Sequence, residues 1–298
     1  MSKKTTSLTR RDFIRGTLGA AVGASLVGPD MIQAEPAGGQ AGGPSSRVIL
    51  VRDKNAMDSG HKVDTDVLRS MLDQTVTRLT GGETSKEAWL SLVTPEDKVG
   101  LVPTPHLNPT HPEVTEAVRK SLVEAGIPAD RIVEAQGGIE KPAACTALIG
   151  LPGLKAHWLT GIGTVLKLYI MYSGNPRKYH AKDNALLGEI WNLPDVKGKT
   201  RLVLVDALHP LCDKGPQPDP RYKWGYHGLI ASTDPVALET VGLRIIMEKR
   251  KQLFGDDWPL SPPPLCIEAA DREYGLGTSD WNRIKLETFG WEDDLLLG

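Results

Sequence analysis

The sequence predicts an α/β fold, a mostly parallel sheet with helices on both faces, and three observations carry that prediction. First, Lys98 to Val102 reads as a strand, Thr110 to Ala125 as a helix, and Arg131 to Ala135 as a second strand. A strand, a helix and a strand in under 40 residues form a βαβ unit. Second, Thr200 to Asp206 (TRLVLVD) is a near-continuous apolar run, the pattern of a strand covered on both sides. Third, Gly228 to Thr233 reads as another strand and leads directly into Asp234-Pro235. Aspartate as cap with proline in the first turn opens a long helix to about Leu253. The layout is Rossmann-like.

The remaining elements follow in order. Residues 1–34 read as an export signal: the pair Arg10-Arg11 precedes a weakly apolar Gly/Ala stretch, Gly16 to Gly28. Ile32-Gln33-Ala34 fits a cleavage site, so a twin-arginine signal peptide cut after Ala34 and a periplasmic or extracytoplasmic location are expected. Residues 35–46 (EPAGGQAGGPSS) form a Gly/Pro linker with no apolar face to bury. Residues 47–298 are expected to make a single α/β domain. Arg47 to Arg52 is its first strand; Thr65 to Leu79 has apolar residues at helical spacing, ended by Gly81-Gly82. Thr110-His111-Pro112-Glu113 is a capping box that opens the helix of the βαβ unit, and Gly126 closes it.

Charge and cysteine spacing exclude several classes. Residues 1–34 hold five of the 35 Lys/Arg and two of the 37 Asp/Glu, so the remainder carries 30 basic against 35 acidic groups, net −5. An acidic body lacks the basic face of a nucleic-acid binder. Cys145, Cys212 and Cys266 are far apart and show no iron–sulfur or zinc spacing. They read as structural residues. The apolar run Leu159 to Tyr172 has 14 residues and contains Lys167, which is too short for a transmembrane span of roughly 20. It is expected to be a core-facing helix interrupted by one lysine, entered from His157 and left through a Pro-containing loop to His180.

The chain resembles the DUF362 family, a domain of unknown function, from about residue 50 onward. The segments that carry the resemblance are Thr110 to Glu113, Leu151 to His157, Thr160 to Lys167, Asn175 to His180, Lys199 to Ala207 and Ser232 to Leu238. The resemblance implies a site in which Lys155, Lys167, His157 and His180 take part. Four departures from the family pattern stand out. Val102-Pro103-Thr104 replaces Lys-Val-Asn, and Leu168 follows Lys167 in place of asparagine. Ala181-Lys182-Asp183-Asn184 replaces a loop with Asp and Cys, and Glu239 replaces the last Asp of DPVALD.

The candidate residues fall at expected strand and helix ends, where ligands of open α/β sheets bind. Lys155, Lys167, Asp206 and Asp234 are the candidate catalytic residues; His157, His180 and His227 are candidate metal ligands. A lysine inside an apolar run requires a partner, which makes Lys167 the residue that packing explains least. Structural roles compete at Asp234, as helix cap, and at Asp206, as the anchor of a strand end. His111 reads as a first-turn residue, and His61, His106 and His209 as loop histidines. The cofactor is unknown; a divalent metal is compatible with the histidines, whereas an iron–sulfur cluster does not fit the cysteines. Two functions fit: an exported metal- or cofactor-dependent enzyme acting on a small anionic ligand, or a catalytically degenerate subunit docked on a periplasmic protein partner. Exposure of Trp258, Trp281 and Trp291 would suit the second.

Overall fold

The computed structural model describes residues 45–135, 140–180, 184–255 and 258–298. The signal and most of the linker lie outside the described residues. β1 (Ser46–Arg52) begins one residue before the expected start, and residues 43–298 form one compact unit. α1 (Thr65–Thr80) is capped by Asp64, whose side chain accepts from the Asp66 and Val67 amides. Gly81 ends it in the left-handed region at φ 79°, a conformation that costs glycine little. α2 (Ser85–Leu92) opens on a capping box between Thr84 and Glu87.

The βαβ unit is present as β2 (Val99–Pro103), α3 (Pro112–Ala125) and β3 (Ile132–Glu134), with β2 and β3 parallel. β4 (Ala147–Leu151) runs into β5 (Gly153–His157), which turns back through the two-residue β6 (Gly161–Ile162). β7 (Thr200–Leu211) is the long central strand, followed by β8 (Gly228–Ser232), α4 (Pro235–Phe254), α5 (Cys266–Arg272) and β9 (Ile284–Gly290). The sheet order is β3-β2-β4-β7-β8-β1-β9, with β5 on the far part of β7. β3, β2, β4 and β7 are mutually parallel, as are β1 with β9 and β5 with β7. β8 runs antiparallel to both neighbours, so the sheet is mixed but mostly parallel.

Strand alternation divides the core in two. Val48, Leu50, Leu148, Val203, Val205 and Ile230 face one side, where α4 and α5 pack. Ile49, Val51, Ile149, Leu202, Leu204 and Ala231 face the other, against α1, α2 and α3. Both sides of the strands are therefore apolar, which is why TRLVLVD shows no alternation.

One expectation is corrected. Leu159 to Tyr172 is not a helix: it holds a turn, β6, a second turn and a 3₁₀ segment at Ile170–Ser173. Gly161 takes φ 75°, and the Thr160 and Thr164 hydroxyls bond to the backbone at Ile162 and Lys155. Local side-chain bonds of this kind compete with helix. No helix among the described residues is long and apolar enough to cross a membrane.

Candidate functional site

Lys155 and His157 point inward from β5, and the folded-back segment from Gly163 to Lys167 covers them. The Gly163 amide donates to the Lys155 carbonyl at 3.0 Å. A Cβ on Gly163 would lie 2.9 Å from the His157 ring, so only glycine allows this contact. Glu239, on α4 and 1 % exposed, holds the segment from beneath: its carboxylate accepts from the Val165 amide, with further bonds from Thr164 and Leu166. Leu168 is a core residue that sits over Gly150 of β4.

Lys167 is buried, and its Nζ contacts His157 Nε2. The bond pattern fixes the protonation of that pair. The Leu159 amide donates to His157 Nδ1 at 3.1 Å, so Nδ1 carries a lone pair. Burial, followed by the Lys167 charge, pushes the His157 pKa down to about 2, so the ring is neutral and its proton is on Nε2. A proton on Nε2 needs an acceptor, and an ammonium has none. Lys167 is therefore a free amine, in accord with a pKa that burial and the Lys155 charge lower to about 7. His180 stacks on His157 with centroids 5.6 Å apart, and its Nδ1–H donates to the Pro176 carbonyl at 2.8 Å.

Lys155 is 4 % exposed and donates to the Asn108 carbonyl at 3.0 Å. Burial lowers its pKa to about 7, against the opposing pull of Asp206. Among the described residues, neither Lys155 nor Lys167 lies within ion-pair distance of a carboxylate.

The other candidates have clear partners. Asp206 accepts from the His111 amide and from His111 Nδ1, both at 2.7 Å, and from the Leu208 amide at 3.1 Å. It ties the start of α3 to the middle of β7. His111 is thus more than a first-turn residue: burial works to lower its pKa, but the bond and charge of Asp206 outweigh this and raise it. His209 lies within β7 rather than in a loop and stacks on His61 at 4.1 Å. Asp234 is the α4 cap, accepting from Val236, Ala237 and Thr278 amides and from the Ser46 hydroxyl. It follows the end of β8 that pairs with the start of β7, so it sits at the sheet edge opposite Asp206.

His227 packs against Trp291 with centroids 5.6 Å apart, away from the His157–His180 stack, and its pKa is lowered by burial and by Arg52. No group of three or more His, Cys, Asp or Glu among the described residues is placed to hold a metal ion. The three cysteines are buried. Of the three C-terminal tryptophans, only Trp258 is exposed; Trp281 lies under Arg244 and Trp291 under Arg52. The cleft of about 460 Å³ between α1 and α3, lined by Asp66, Arg69, Glu113 and Lys120, has neither buried lysine in its wall.

Residues 138–244 match the family model of DUF362, a domain of unknown function. The matched segment holds Lys155, His157, Lys167, His180, Asp206, His227 and Asp234, and leaves His111 outside. It is narrower than the span that the sequence resemblance implied. No curated protein and no solved structure matches the chain.

Sequence reasoning passed over Glu239, Asn108 and Lys223. Glu239 was marked only as a departure from the family pattern. Asn108 acts through its main-chain carbonyl, for which a sequence gives no sign.

Proposed function

We propose that this DUF362 protein is an enzyme that performs acid–base chemistry on a small anionic substrate, exported by the twin-arginine route. The observation that supports it is the free amine of Lys167 against neutral His157, beside a second buried lysine with no carboxylate in reach among the described residues. An amine that is unprotonated near neutrality is a competent base or nucleophile, and a nearby ammonium that lacks a counter-ion attracts an anion. His180 adds a second imidazole for proton relay. Metal or cofactor dependence rests only on the histidines, and His157 and His180 alone do not complete a ligand set.

The test has two parts. Reductive ¹³C-methylation followed by NMR titration should show two lysines with midpoints near 7 that vanish in Lys155→Met and Lys167→Met. Phosphate or small carboxylates should raise the melting temperature of the native protein by a few degrees, the signature of a ligand that binds only the folded state. Ordinary lysine titration together with no anion response sinks the reading. Cell fractionation of an Arg10→Lys/Arg11→Lys precursor tests export; undiminished export would remove that part.

A second reading, a subunit docked on a periplasmic partner, draws support from exposed Trp158 (56 %), Met171 (49 %), Trp258 (49 %) and Leu265 (48 %). Recovery of the natively exported protein alone and monomeric counts against it.

A further inference from the structure

Next to the amine centre lies a second cluster, of which the proposed chemistry uses only Lys155. Its floor is Lys155 and Asn108; its rim is His111, His209, His61 and Lys223. Asn108 is buried at 4 % exposure in a left-handed conformation, φ 64°, and its Oδ1 has no hydrogen-bond partner. Leu107 before it, at φ 57°, and His61, at φ 63°, are held in the same unfavourable region. Strained backbone of this kind persists where the surrounding fold imposes it, and it collects at ligand sites. The Thr110 hydroxyl, which donates to the Leu151 carbonyl, and the Thr104–Thr110 backbone bond impose it here.

The rim groups act on one another. The His209 pKa is lowered to about 4 by burial, then by Lys223, His61, His111 and His227. Lys223 is half-buried and bridges to Leu211, the strand partner of Lys155, and from there it also disfavours the charge on Lys155 and His111. The carboxylates of Asp206 and Glu113 act on the cluster. Asp206 already accepts from two amides and the His111 ring, and Glu113 acts only through its field on His111. The result is a cluster of side chains beyond the carboxyl ends of β2 and β4 in which nitrogen groups outnumber carboxylates.

We propose that this cluster, with Lys155 and Asn108 at its base and Lys223, His111, His209 and His61 beside them, seats the anionic group of the substrate. The anion is a carboxylate or a phosphate, because a compact oxyanion can accept from an ammonium and an imidazole together. Asn108 Oδ1, an acceptor with no partner, takes a hydroxyl proton of the ligand rather than its anionic oxygens. Lys155 divides the two halves: the anion lies on its Asp206 side, and the reacting carbon faces Lys167 on the other. This assignment rests on the proposed function but fails separately from it.

The test is calorimetric titration of the full-length exported protein with inorganic phosphate and, separately, with lactate, at pH 7. Lys223→Met should weaken the anion that binds by about tenfold, the loss expected for one charge-assisted contact. His111→Gln should weaken it less, and Lys167→Met should leave it within twofold. Phosphate binding alone, or lactate binding alone, identifies the oxyanion class. If Lys223→Met and His111→Gln both bind as well as the native protein, the seat is elsewhere, while the lysine titration still decides the chemistry. If neither anion binds the native protein at millimolar concentration, the inference is wrong. Circular dichroism of each variant separates lost binding from lost fold.

Discussion

Arg250 and Lys167 are both buried basic side chains on the α4 side of the sheet, at 2 % and 9 % exposure, yet the fold treats them differently. Arg250 donates to Asp213 at 2.6 Å and to the carbonyls of Cys212, Trp258 and Pro259. Arg52, the other deeply buried arginine, bonds to the Tyr226, Trp291 and Asp293 carbonyls and lies between the Tyr226 and Trp291 rings. Lys167 has one imidazole, and Lys155 one carbonyl. Arg250 is satisfied by the protein itself, as structural buried charge must be, and Arg52 is held by three carbonyls and two rings although its Nη2 has no hydrogen-bond partner. The lysines are under-satisfied and pushed toward neutrality, a state that adds nothing to folding and leaves reactive amines.

The largest effect should come from breaking the satisfied site. Asp213→Ala leaves the Arg250 guanidinium buried beside carbonyls only and should cost about 3 kcal/mol or more. Urea unfolding followed by circular dichroism measures it. A loss below about 1 kcal/mol would mean that Arg250 is no better held than the lysines, and the contrast would collapse.

Lys167→Met should act in the opposite direction. It removes a buried polar group and keeps the volume, so stability should hold or rise by about 1 kcal/mol. A large destabilisation would show that the amine serves folding rather than chemistry. The trade of function for stability would then be absent at this site.

Much of the frame was legible in the sequence, and the reason is local. Asp64, Asp234, Gly81 and Gly126 mark helix ends through bonds to residues within a few positions. The apolar strands and the βαβ unit were legible for the same reason. The site was legible only in its residues. Lys167 stood out as a lysine in an apolar run, but the run folds back as turns because Glu239, 74 positions later, takes its amides. The His111–Asp206 pair spans 95 positions and gives no local pattern. Antiparallel β8, which makes the sheet mixed, depends equally on distant pairing.

The smallest effect, and the most specific, is in the pH dependence of stability. Burial raises the Glu239 pKa from 4.5 to about 7, against the pull of the backbone bonds from Val165, Leu166 and Thr164. Between those values the folded state holds more protons than the unfolded one, so the contribution of Glu239 is fully present below pH 4.5 and is lost as pH rises through 7. The lysines work the other way. Their pKa falls from 10.5 to about 7, so between those values the unfolded state binds more protons and stability rises with pH. The native protein should therefore show urea midpoints that fall from pH 5 to 7 and rise from pH 7 to 9, once the background of the remaining groups is subtracted. Glu239→Gln keeps an oxygen for the Val165 amide and should change stability by only about 1 kcal/mol at pH 7. It should flatten the falling limb alone. Lys155→Met/Lys167→Met should flatten the rising limb alone. If one variant flattened both limbs, Glu239 and the lysines would titrate as one coupled unit, and the covering turn would belong to the reactive site rather than to its support.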